Sequence, residues 1–451
     1  MTVPENEALL IQGGTIVTCD EKLGILERGD ILVQDGRIIE VAASITAPGV
    51  EVFDASGMIV MPGLIDTHRH NTDAVFSAYG GNVTMWTYFA EVPSHYFTGE
   101  FIRRASRGAS LLALNAGVTT VLDWCLSAHT LEAALCALDG YEEAGGRTIF
   151  AYGPGGGVIG QNPDLSKSPL LTDTAVLRER CREAKRDLLD LWIAAMGPDF
   201  TPYETARDEI LMIRELGLKA TMHVGGTIVG AKGSVIPIAE AGLLGPDLQF
   251  AHCCNLRHAE IQPMAQTGVT ASVSPYAEAT MGMGPIPYLR LREAGVKVGL
   301  GTDSVCVTGQ GLFSEGKSLL ALERSRRHNE TVASGSDPAN NDFLTTDDVV
   351  KALTIDSADS IGIADKVGSL TPGKWADIIT LDKRRLGVEP LNISSAIVLA
   401  GEPMAVRDVI VAGRFRKRDG ELVGYTFNQV MDDLADVRRS APLYLIGQGP
   451  H

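Results

Sequence analysis

The chain predicts an α/β fold: a (β/α)8 TIM barrel with a small β-sandwich domain formed by its N- and C-terminal segments. Three observations predict it. Short apolar runs alternate with helical patterns through the middle of the chain, the order that builds a parallel sheet. Eight such units over roughly 300 residues suit a barrel better than the runner-up, a doubly wound open sheet. The ionisable residues Asp66, His68, His70, His223, His252 and Asp303 all fall at the C-terminal ends of those runs. That is the end at which a barrel carries its active site.

Residues 8 to 60 read as short β-branched strands broken by Gly and Asp turns. Asp35-Gly36 marks a hairpin, because a tight turn needs positive φ. The barrel strands are then expected at "GMIVMPGLIDTH", with the apolar run from Ile59 to Ile65 as strand one, and at 118–124, 147–153, 191–197, 219–224, 248–253, 269–275 and 296–303. Helical patterns such as "LEAALCALDGYEEAG" lie between them, and several end in Gly, as a helix C-terminus favours. Towards the C-terminus "WADIITLD", "AIVLAG" and "RDVIVAGRFRKRDGELVG" read again as short strands. The expected domains are therefore 1–60 with 364–425 as the β-sandwich, 61–363 as the barrel, and 426–451 as a C-terminal helix and tail.

Composition narrows the function. Of 451 residues 45% are hydrophobic, enough for a sizeable core, and the net charge of −17 argues against nucleic acid as a partner. No apolar run approaches the ~18 residues of a membrane span, so no membrane partner is expected. The seven cysteines are scattered and never C-x-x-C, a reduced pattern. "MTVPENEALL" lacks the features of a signal peptide. A cytoplasmic protein is expected.

His68 and His70 are spaced by two, so their side chains in a strand point the same way and converge, with Arg69 turned aside. Three imidazoles and a carboxylate, His68, His70, His223 and Asp303, make a donor set suited to Zn2+ or Fe2+. One such metal would activate water. Each residue also has an ordinary reading: a satisfied strand-end histidine, or a loop cap for Asp303. His95, His129, His258, His328 and His451 are read as non-ligands; His95, in "EVPSHYF", is the one placed to reach over the mouth.

The motifs "PGLIDTHRH", "TMHVG", "AHCCNL", "VSPYAEATMGMG" and "GLGTDS", with flanking "IQGGTIVT" and "GSLTPGKWADIITLD", resemble the amidohydrolase superfamily. The similarity is to its branch of cytosine deaminases, S-adenosylhomocysteine deaminases and triazine hydrolases, and covers nearly the whole chain. The resemblance implies a single metal, zinc or else iron, on His68, His70, His223 and Asp303. Asp303 would also take the proton of the attacking water. His252 would hydrogen-bond that water or polarise the scissile group. Strand four, "LWIAAMG", has no lysine to bridge two metals. The resemblance also implies a homodimer.

One departure matters. Deaminases of this branch carry His-x-x-Glu on strand five, whereas this chain has "HVGG", with Gly226 at the glutamate position. Glu278 is either a substitute for that acid or a solvated loop carboxylate. Asn255, after "AHCC", is a second departure. Trp86, Tyr88 and Phe89, Gln161 in the Gly-rich 153–164 loop, and Met281 and Met283 are expected around a flat, partly apolar substrate, with Trp86, Gln161, His252 and Met281 as contacts. The expected function is a mononuclear metal-dependent hydrolase acting on a C–N bond of a small nitrogen heterocycle, as an aminohydrolase (deaminase). The alternatives are hydrolysis of an amide, cyclic amide or carbon–halogen bond, and, more remotely, a non-catalytic scaffold.

Overall fold

The computed structural model describes residues 8–85, 87–88, 93–95, 99–153, 165, 168–226, 230–337, 343–387, 389–440 and 443–445. Seven parallel strands lie side by side in chain order: Leu64–His70, Val118–Trp124, Arg147–Tyr152, Leu189–Ala195, Ala220–Val224, Leu248–His252 and Thr270–Val273. The eighth is split. Val298–Leu300 pairs with strand seven, and Asp303–Ser304 pairs with strand one, so the last strand closes the ring. Strands two and three are buried at every position. That burial is why they read as near-continuous apolar runs rather than alternating ones.

The split falls at Gly301, whose backbone passes against strand one. A Cβ there would come within 2.5 Å of the His68 carbonyl oxygen and 2.9 Å of its nitrogen. Backbone on both sides cannot yield as a flexible side chain would. Gly301→Ala is therefore expected to lower the melting temperature by several degrees in calorimetry. An unchanged melting temperature would show that this seam is loose.

The terminal segments form one mixed sheet of nine strands. Strand Met58–Pro62 joins its two halves, pairing in parallel with Ala8–Val17 and antiparallel with Ile378–Asp382. Its hairpins turn at Asp35-Gly36 (φ 52° and 80°), Ala412-Gly413 (48° and 76°) and Asp419-Gly420 (52° and 90°), the positive values that such two-residue turns require. Ile11, Ile16, Ile31, Ile38, Val60, Ile378 and Ile410 pack together in the core against it.

Two elements differ from expectation. The run from Ile59 to Ile65 is not one strand: Met58–Pro62 belongs to the terminal sheet and Leu64–His70 to the barrel. Gly63 separates them, where a Cβ would lie 2.1 Å from Thr119 Oγ1. "AIVLAG" is not a strand but the end of helix Ile393–Ala400. Asn392 caps it, accepting from the Ser395 amide at 2.7 Å; this local bond outweighs a weak β preference.

Two compact units result. One comprises the N-terminal segment to Asp66, Leu111–Thr120 and Gly311–Gln429; the other comprises Thr67–Ser110, Val121–Gln310 and the segment from Val430. Within the second, helix Phe427–Ser440 is tied to helix Gly99–Asn115 by Arg104 and Arg107, which both bind Asp433 at 2.7 Å. Among the described residues no helix is long and apolar enough to cross a membrane.

Candidate metal centre

Barrel strands one, five, six and eight deliver their last side chains to one point. His68 Nε2 lies 3.2 Å and His70 Nε2 3.3 Å from the same oxygen, Asp303 Oδ1. His223 Nε2 is 3.3 Å from His70 Nε2. Ligand atoms of His68, His223, His252 and Asp303 all fall within 4.8 Å of one another. His252 thus clusters with three of the four residues expected to ligate, His68, His223 and Asp303. Arg69 is turned aside as expected, fully buried on Asn71 (2.9 Å), Thr302 (3.2 Å) and Gln310.

The donor set fits a divalent cation on grounds internal to the chain. His68 is fully buried, yet neither of its ring nitrogens makes a well-directed hydrogen bond among the described residues, Nε2 only facing Asp303 Oδ1 at 3.2 Å. Buried polar atoms are rarely left so, and a metal is one standard reason. Burial takes His68 down to about 4 and His223 well below the ordinary histidine range, keeping both in the neutral form that ligates. His70 moves the other way. Burial works against its charge, but the Asp303 carboxylate pushes it up to about 9. Asp303, despite burial, is held well below the usual carboxylate range by His68 and His70. A cation in the cage would neutralise Asp303 as that proton does.

The surrounding groups fix these side chains. His70 Nδ1 meets the Trp124 carbonyl at 2.9 Å, which leaves Nε2 for the centre. His252 Nδ1 lies 3.4 Å from Glu278 Oε1, and the Ser274 amide donates to the same oxygen at 2.8 Å. Glu278 is fully buried on helix Pro275–Thr280, not a solvated loop carboxylate. Burial raises its pKa; burial also works against charge on His252, but the Glu278 and Asp303 carboxylates together raise its pKa. Asn255 is likewise structural, its amide donating to the carbonyls of Gly225 (3.0 Å) and Met283 (2.7 Å).

The backbone is strained at the same place. His252 (φ 77°), Cys253 (59°) and Asp303 (59°) all sit in the left-handed region without being glycine. Such conformations disfavour folding by about 1–3 kcal/mol each and gather at functional sites.

Above the centre is a pocket of about 620 Å3, the space open to solvent at its mouth included. Its floor is His70, His223, His252 and Asp303; its walls include Trp124, Met196, Phe200, Met281 and Met283, with Tyr88 and Ser304 on one edge. Met281 and Met283 are where they were expected. Trp86 and Gln161 lie outside the described residues, as does the side chain of His95. Gly226 is beside His252: a Cβ there would be 3.5 Å from the imidazole. Sequence reasoning missed Met196, Phe200 and Ser304, and it missed Asp73. The signal for Asp73 was an acid three residues past His70 in a segment that is otherwise uncharged after Arg69.

A closed (β/α)8 barrel with buried imidazoles and a carboxylate gathered at its C-terminal mouth is the architecture of a metal-dependent hydrolase. The chain belongs to the amidohydrolase family, whose family model matches residues 59–416. It is 26% identical over 432 residues to the 5'-deoxyadenosine deaminase of Methanothermobacter thermautotrophicus, covering 93% of this chain and 95% of that one. It is 27% identical over 452 residues to the 5-methylthioadenosine/S-adenosylhomocysteine deaminase of Symbiobacterium thermophilum, covering 96% and 98%. Among solved structures it resembles a zinc-bound adenosine deaminase from Xanthomonas campestris (TM-score 0.80, 20% identity, 97% and 99% covered). A triazine hydrolase from Arthrobacter aurescens is similar to the same degree (TM-score 0.81, 20% identity, 96% and 99% covered).

Proposed function

We propose that the protein is a zinc-dependent aminohydrolase that releases ammonia from a small nitrogen heterocycle. The observation that carries this reading is the convergence of His68, His70, His223, His252 and Asp303 on one point beneath a largely apolar cavity. The deaminase names of its relatives along the full chain support it. His68, His70, His223 and Asp303 would hold the ion. When bound, zinc supplies Lewis acidity and lowers the pKa of a water to about 7.

The chain's own residues do the rest. Asp303 Oδ1, poised against two imidazoles, accepts the proton of the attacking water. His252 faces the cavity and donates a hydrogen bond to the charge that develops as the sp2 carbon is attacked. Glu278 does not line the described cavity; it acts through His252, holding Nδ1 so that Nε2 is the end presented. The methionine and aromatic walls accept a flat ring and exclude water.

Gly226 favours a second reading, hydrolysis of an amide, cyclic amide or carbon–halogen bond, which does not require the strand-five glutamate. A screen separates the two. Zinc-loaded protein is expected to release ammonia from at least one of a panel of aminopurines, aminopyrimidines and aminotriazines. Chloride or carboxylate released without ammonia would establish the second reading. No turnover of either kind by protein holding stoichiometric zinc would overturn both.

A further inference from the structure

Barrel strands four, five, six and seven end at Ala195, Val224, His252 and Val273. Beyond those ends a second set of hydrogen bonds joins the loops to one another. Asp199, in the loop after strand four, accepts the Gly225 amide at 2.7 Å through Oδ2 and the Ser234 hydroxyl through Oδ1. The Gly225 carbonyl, after strand five, accepts the Asn255 backbone amide at 2.9 Å and its side-chain Nδ2 at 3.0 Å. The same Nδ2 donates at 2.7 Å to the Met283 carbonyl, after strand seven. The Met281 carbonyl then accepts the Met85 amide at 3.0 Å. Gly225 is the link that both sides share. Its φ is 76°, which favours glycine, and a Cβ there would lie 2.9 Å from Cys253 Cα.

We propose that Asp199 and Asn255 are specificity-determining positioning residues, which tie the cavity walls into one belt and so limit the size of the ring that the cavity admits. The inference rests on the reading of this cavity as a heterocycle site and deepens it. Phe200 follows Asp199 directly and lines the cavity with Met196; Met281 and Met283 line it from the strand-seven side. Neither Asp199 nor Asn255 belongs to the described lining, so their influence on a ligand passes through the backbone they hold. The bonds meet on either side of one residue, Gly225, so slack at either end frees the same link. Strand pairing lies below the belt and does not depend on it, so the barrel survives when the belt is cut. The walls on strands four and seven can then part, and a larger ring gains most.

The test has one arm without ligand and one with it. The first reads hydrogen–deuterium exchange by mass spectrometry. Asn255→Asp puts an acceptor against two carbonyls. It is expected to speed exchange about threefold or more at 196–201 as well as at 281–284, the effect of one lost hydrogen bond. Asp199→Ala does the same at 281–284, while Asp199→Asn, which keeps an acceptor for Gly225, stays close to wild type. A role confined to each residue's own loop leaves the opposite wall unchanged, and that result would overturn the belt. In the second arm zinc-loaded protein is titrated by calorimetry with 2-aminopyrimidine and with 2-aminoquinazoline, which keeps the amino edge and adds a fused ring. Asn255→Asp and Asp199→Ala are each expected to shift the ratio of the two affinities about threefold or more towards the quinazoline, with zinc per chain unchanged. The double variant shifts it by less than the product of the single shifts, because both cut one belt. A ratio unchanged in both variants, fully independent shifts, or no binding of 2-aminopyrimidine to wild type would overturn the specificity role. Neither arm reads turnover, so a shifted ratio without ammonia release sinks the aminohydrolase reading alone.

Discussion

Asp303→Asn is expected to abolish turnover, lowering kcat/KM by about 10³-fold or more, while the protein stays folded. Two losses combine. The variant removes the group proposed to accept the proton of water, an acid–base contribution of about 10²–10⁴. It also replaces an anionic donor with a neutral amide at the point where two imidazole nitrogens converge, 3.2 and 3.3 Å away. The fold should survive because asparagine tolerates the left-handed backbone at this position, φ 59°. Alanine would add strain to the chemical loss. Zinc per chain by mass spectrometry, circular dichroism and kcat/KM on the substrate from the screen read the three parts separately. Wild-type turnover would remove Asp303 from the mechanism. A protein that unfolds on chelation would show the site to be structural, since the barrel's strand pairing does not depend on the ion.

Most of the scaffold was legible because parallel strands buried on both faces must be apolar throughout, and strands one, five, six and eight carry conspicuous polar residues at their ends. His68, His70, His223, His252 and Asp303 stood out for that reason. Boundaries set by tertiary packing were not legible. Nothing in "MIVMPGLI" says that Gly63 passes against Thr119 and hands the chain from one sheet to another. "AIVLAG" reads as a strand yet ends a helix that Asn392, four residues before it, caps. The site's supporting groups were hidden for another reason. The Trp124 carbonyl that orients His70 is backbone, without a side-chain signature. Asp73, Tyr88 and Ser304 lie far apart in the chain and become one hydrogen-bonded unit only when strand eight closes on strand one. The burial of Glu278 likewise follows from the short helix that turns it back under His252.

Glu278→Gln should lower kcat by about 10–100-fold, the usual effect of removing a group that orients a functional histidine, and leave KM within about twofold. The split follows from position. Glu278 is fully buried and absent from the described cavity lining, so a substrate in its ground state does not meet it. In the proposed reaction its influence passes through His252 Nδ1, 3.4 Å away, and matters as charge develops on the other side of that ring. Glutamine keeps the shape and an acceptor for the Ser274 amide, which Glu278 Oε1 takes at 2.8 Å, but removes the negative charge. Glu278→Asp keeps the charge and withdraws it, and is expected to retain more activity than glutamine if charge is what matters. Installing Gly226→Glu in the Glu278→Gln background is the sharper comparison. The new side chain starts 3.5 Å from the same imidazole. Recovery of kcat in the double variant would mean that one carboxylate beside His252 serves from either strand. Wild-type kcat in Glu278→Gln alone would mean that His252 needs none.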